Sequence, residues 1–159
     1  MEIEKKFTIK RIPDHLEKYP CKKIEQGYLC VGPVIRIRKS NEDYILTYKS
    51  KGNVQEEALQ TKVNEEIEMP LNQDAYEHLK TKIDGKLIEK ERYIIPLEKG
   101  LKAELDIFHG YLEGLRFAEV EFPTIEDALS FEKPDWFDQD VSMDKRYANY
   151  YLSRIDHWE

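Results

Sequence analysis

Pairs of like charges two residues apart recur along this chain. Glu2 and Glu4 are followed in phase by Lys6, and then come Arg36 with Arg38, Lys49 with Lys51, Glu66 with Glu68, Lys90 with Arg92, Glu104 with Asp106, and Glu119 with Glu121. In an extended strand, side chains at i and i+2 point the same way, roughly 6.5–7 Å apart. The acidic pairs offer oxygen to hard divalent cations such as Mg²⁺ or Mn²⁺, and clustered Lys and Arg donate to phosphate oxygens, Arg bidentately. A metal–polyphosphate complex meets both demands. A merely solvated sheet face intersperses the two signs, because like charges on neighbouring positions repel.

The elements that must position these residues are strands. Charged residues alternate with aliphatic or aromatic ones at about 2–9, 22–31, 34–39, 43–51, 54–69, 86–95, 101–109 and 116–122, which predicts eight strands. Gly32-Pro33, Gly52-Asn53, Gly85 and Glu98-Lys99-Gly100 punctuate them as turns. Helices are expected over Pro13–Tyr19, Asn72–Ile83 and Thr124–Phe131, where Thr124 and Asp127 approximate a capping box, with a docked fourth over Asp144–Ile155. The apolar faces carry Ile3, Phe7, Ile35, Ile37, Ile67, Met69, Tyr93, Leu105, Ile107, Val120 and Phe122, and these faces call for burial.

If the sheet closes into a barrel with its charged face inward, the interior holds the acids at 2, 4, 66, 68, 104, 106, 119 and 121 and the bases at 6, 36, 38, 49, 51, 90 and 92. Seven bases against eight acids leave −1; two divalent ions bring this to +3, against a triphosphate of about −4. Such an interior is a wet tunnel rather than a core, since buried charges must be paired or bound to a ligand.

Composition narrows the class. The 159 residues predict one domain, 1–159, and 40% hydrophobic content suffices for a core. With 25 basic and 32 acidic residues the net charge is −7, which argues against a nucleic-acid partner. No apolar run approaches a membrane span, and Met1–Lys6 carries acid where a signal peptide would have an apolar core, so a cytoplasmic protein with no membrane partner is expected. Cys21 and Cys30 are read as reduced thiols, and the four histidines as surface or structural residues. Walker A, HExxH and CxxC patterns are absent.

With these residues in place, the sequence resembles the CYTH superfamily, or triphosphate tunnel metalloenzymes, and in particular its short bacterial triphosphatases. Glu2-Ile3-Glu4-Lys5-Lys6 is similar to the family's ExExK signature. In-phase echoes follow at Gln26-Gly27-Tyr28, Arg36-Ile37-Arg38, Lys49, Glu66-Ile67-Glu68, Lys90-Glu91-Arg92, Glu104-Leu105-Asp106, Glu119-Val120-Glu121 and Asp144–Asn149. Asn64 departs from the pattern, where many members carry a basic residue; Lys62 is the substitute at hand.

The resemblance implies a mainly β fold, a closed eight-stranded antiparallel barrel forming a charged tunnel with flanking helices. It implies metal-dependent hydrolysis of inorganic tripolyphosphate, with two Mg²⁺ or Mn²⁺ ions, by a monomer or homodimer. By position, Glu2, Glu4, Asp106, Glu119 and Glu121 would hold metal, and Lys6, Arg36, Arg38, Lys49, Lys51 and Arg92 would hold phosphates. Glu66, Glu68 and Glu104 would line the tunnel in roles left open. Tyr28 beside Lys90 would be a catalytic pair, the ammonium lowering the phenol's pKa; the bland alternative makes Tyr28 a wall aromatic. Lys145 or Arg146 could reach the tunnel mouth. Other activities sharing such a tunnel are nucleoside or thiamine triphosphatase and class IV adenylate cyclase; a polyphosphate or nucleotide sensor is the non-enzyme reading.

Overall fold

The computed structural model describes residues 1–51 and 61–159. Nine strands form: β1 (Glu2–Ile9), β2 (Cys21–Val31), β3 (Val34–Ser40), β4 (Asp43–Lys51), β5 (Lys62–Leu71), β6 (Asp84–Pro96), β7 (Lys102–Phe108), β8 (Arg116–Glu121) and β9 (Phe137–Asp140). They pair antiparallel in the order β5-β4-β3-β2-β6-β7-β8-β1-β9, and a further β5–β1 pairing closes the first eight into a barrel. Short β9 sits on β1 beyond the point where β5 leaves it, opposite Phe7 and Ile9. The eight expected strands are all present, although the Gly52-Asn53 turn and the 54–60 part of the fifth lie outside the described residues.

The expected helices are shorter. Helix α1 (Gln73–Lys80) starts where the Asn72 side chain accepts from the Ala75 amide, and α2 (Ile125–Leu129) where Thr124 Oγ1 accepts from the Asp127 amide. Pro13–Tyr19 contributes only a 3-10 turn at Leu16–Lys18. The C-terminal run is not one helix but a 3-10 turn at Lys145–Tyr147 followed by α3 (Asn149–Leu152).

Alternation within each strand puts charge inside the barrel and apolar side chains outside, so the main core lies outside the barrel wall. Ile3, Phe7, Leu105 and Val120 on β1, β7 and β8, with Phe122 just past β8, pack under α2 and the following segment to Phe137. Tyr44 and Tyr76 pack with tilted rings where α1 crosses β3 and β4. The outward face of β5 departs from expectation: Ile67 and Met69 stay 57% and 50% exposed, because neither α1 nor α2 reaches them. A second cluster of Tyr28, Ile88, Phe108, Phe117 and Leu152, with Tyr147, Tyr150 and Trp158 against it, stops one end of the barrel. No helix of the described residues is long and apolar enough to cross a membrane.

Candidate active site

The barrel encloses a cavity of about 370 Å³. Of the residues singled out from sequence, Glu2, Glu4, Lys6, Tyr28, Arg36, Arg38, Lys49, Glu66, Glu68, Arg92, Glu104, Glu119 and Glu121 line it. The side chain of Lys51 lies outside the described residues. Two walls differ in sign: β3 brings Arg36 and Arg38 beside Tyr28 of β2, while β1 and β8 bring Glu2, Glu4, Glu119 and Glu121 to another side, with Lys49 and Arg92 paired among the acids. Gly27 precedes Tyr28 on β2; a Cβ there would fall 2.8 Å from Ile83, so glycine lets the chain after α1 lie against β2.

The acids are poorly compensated. Burial, with Glu119 and Glu2 alongside, holds Glu4 well above the ordinary carboxylate range. Burial, Glu2, Glu104 and Glu66 raise Glu121. Burial also raises Glu2, although Lys49 Nζ lies 2.8 Å from its Oε1 and 3.4 Å from Glu66 Oε2. Glu119 behaves otherwise: against its burial, Lys6 and Arg92 bring it down to about 2. Among the described residues no three acidic, histidine or cysteine side chains are gathered into a ready coordination shell. The donor set nonetheless fits a hard divalent cation, since Glu2, Glu4 and Glu121 are carboxylates drawn together with too little positive charge to match them.

Asp106 and Lys90 stand apart from expectation, for neither lines the cavity. The Asp106 carboxylate, wholly buried, accepts from Arg92 Nε at 2.8 Å and Nη2 at 2.9 Å and is 2.8 Å from Lys90 Nζ. Those two cations overcome its burial and hold it well below the ordinary range, so its oxygens are already in use. The Tyr28–Lys90 pair is not formed. Register explains this: Lys90 faces Ile24 across β2 and β6, four residues from Tyr28, and the pairing shifts between Gln26 and Tyr28. Lys90 instead meets Asp106 and, at 3.5 Å, Asn149 Oδ1, and burial with Arg92 and Arg38 nearby lowers its ammonium to about 7.

Arg92 also lies 3.1 Å from Glu104 and 3.6 Å from Glu119, and these acids with Asp106 hold its guanidinium above its ordinary value despite burial. Lys6 donates to the Tyr147 carbonyl at 2.6 Å and sits over the Phe117 ring, tying β1 to the C-terminal segment. That segment brings Ser142, Lys145, Asn149 and Tyr150 to the cavity, whereas Arg146 turns to Asp144 at 2.7 Å. Sequence reading missed Lys22 and Thr47, and it placed Gln26 and Asn149 in motifs without giving either a role. Lys22 shares the parity of Tyr28, the signal that would have found it.

An inorganic triphosphatase of Nitrosomonas europaea is 35% identical over 152 residues, spanning 93% of both chains, and one of Acetivibrio thermocellus is 34% identical over 93% of this chain and 90% of that protein. The chain belongs to the CYTH superfamily. A crystal structure of an inorganic triphosphatase superposes on this CYTH barrel with a TM-score of 0.71 at 32% identity, covering 99% of this chain and 97% of that one. A Hippeastrum adenylyl-cyclase candidate with a dominant triphosphatase activity shares the fold, at a TM-score of 0.60 and 17% identity over 80% of this chain and 82% of that chain. No family model matches the sequence.

Proposed function

We propose that this protein hydrolyses inorganic tripolyphosphate in the barrel cavity, with Mg²⁺ or Mn²⁺. The observation that carries the reading is one cavity with a basic wall of Arg36 and Arg38 and an acidic wall of Glu2, Glu4, Glu119 and Glu121. The naming of two whole-length relatives as inorganic triphosphatases supports it.

In this reading Arg36, Arg38, Lys49 and Lys6 bind phosphate oxygens, which requires Lys6 to exchange the Tyr147 carbonyl for the substrate. Lys51 joins them by resemblance. Glu2, Glu4, Glu119 and Glu121 would hold the divalent ions, which when bound would supply charge neutralisation and water activation. Asp106 is assigned to fixing Arg92 and Lys90 rather than to metal. Arg92 reaches the substrate only as the far side of that ion-paired cluster. Tyr28 lines the cavity opposite Arg36 across β2 and β3, which supports it as the candidate proton acceptor, without Lys90 as its activator.

The test is phosphate release from tripolyphosphate, pyrophosphate, ATP and thiamine triphosphate, with Mg²⁺ or Mn²⁺ and with chelator. Tripolyphosphate is expected to turn over fastest, and only with metal. Faster release from ATP or thiamine triphosphate would reassign the substrate, and no release from any would leave cyclisation or sensing.

A further inference from the structure

Arg36 and Arg38 both reach the cavity from β3, and each is held by an uncharged partner. Gln26 lies opposite Arg38 across β2 and β3, fully buried, and its Oε1 accepts from Arg38 Nε at 2.9 Å. A guanidinium can only donate, so this contact orients the amide and turns Gln26 Nε2 away. That nitrogen is buried without a hydrogen-bond partner. Thr47, also fully buried, lies opposite Arg36 across β3 and β4, and its Oγ1 accepts from Arg36 Nη2 at 3.2 Å, while Arg36 Nε is buried and unpartnered. Among the described residues neither arginine has a carboxylate partner, whereas Arg92 has three.

A fold selected for stability alone would not leave this arrangement. A buried donor without an acceptor is destabilising, and a carboxylate at position 26 would answer Arg38 with a charge-assisted pair. It would also neutralise a cation that a phosphate needs. We infer that Gln26 and Thr47 are positioning residues that orient Arg38 and Arg36 while leaving their positive charge available to the substrate's phosphate oxygens. The inference rests on the tripolyphosphate reading above. Consistent with it, burial and the neighbouring Arg36 and Arg92 cations hold the Arg38 guanidinium below its ordinary value, as expected of a cation short of counter-charge.

Gln26→Glu separates stability from function. Its carboxylate pairs with Arg38, so the melting temperature is expected to hold or rise, while KM for tripolyphosphate rises about 10–100-fold and kcat changes less. Thr47→Val removes the acceptor at Arg36 and keeps the shape; KM is expected to rise about 3–10-fold, again without parallel loss of melting temperature. A purely structural role predicts melting temperature and activity falling together in both variants. Should Gln26→Glu not fold, Thr47→Val decides. Wild-type protein that does not turn over tripolyphosphate overturns the functional reading. Wild-type protein that does, beside variants whose KM stays within about twofold, overturns this inference alone.

Discussion

Arg38 and Arg92 face one cavity from the second position of equivalent sequence pairs, Arg36-Ile37-Arg38 and Lys90-Glu91-Arg92, yet their surroundings differ. Arg38 has Gln26 on one neighbouring strand and Ile45 on the other. Arg92 has Lys22 on one side and Asp106 on the other, with Glu104 and Glu119 in reach. One guanidinium therefore has no carboxylate partner among the described residues, and the other cross-links the acidic wall. Spacing along a strand says which way a side chain points; the strands on either side decide what it does there.

The largest effect should come from removing the anchor of the second group. Asp106→Asn leaves Lys90 and Arg92 buried beside each other without their shared carboxylate, and chemical denaturation is expected to show a loss of about 3–5 kcal/mol. A small loss of stability with turnover abolished would instead return Asp106 to the metal ligands.

A smaller effect follows from the uncompensated acids. Glu2, Glu4 and Glu121 titrate above their unfolded value of 4.5, so the folded chain favours their protonated forms, and the stability this contributes is present at low pH and lost as pH rises through the raised values. In chelator the melting temperature is expected to decline as pH rises above 4.5, before the Lys90 ammonium, lowered to about 7, begins to lose its proton. Mg²⁺ should reduce the decline and Glu4→Gln should flatten it. A melting temperature that rises across this window would contradict the crowding of carboxylates.

Much of the barrel is legible in the sequence, because a two-residue period fixes which side chains share a face, and thirteen of the expected site residues do line one cavity. Depth inside the barrel is not legible. Asp106 and Lys90 have the right parity but lie one layer behind the cavity, where Phe108 and Phe117 begin the apolar stopper. Parity likewise cannot tell a covered outer face from an open one, so Ile67 and Met69 read like Ile3 and Phe7. The four-residue β9 and the broken C-terminal helix carry too little periodicity to be seen, and both depend on docking to β1 through Lys6 and Phe7.

The comparison of the two arginines reduces to one paired measurement, tripolyphosphate turnover and thermal melting of Arg38→Gln beside Arg92→Gln. The account predicts that Arg38→Gln loses at least about 100-fold in kcat/KM at an unchanged or raised melting temperature, while Arg92→Gln, which removes the bidentate partner of buried Asp106 and leaves it only Lys90, melts markedly lower. The reverse pattern, an Arg38 variant that unfolds early beside an Arg92 variant that is stable and inactive, would contradict it.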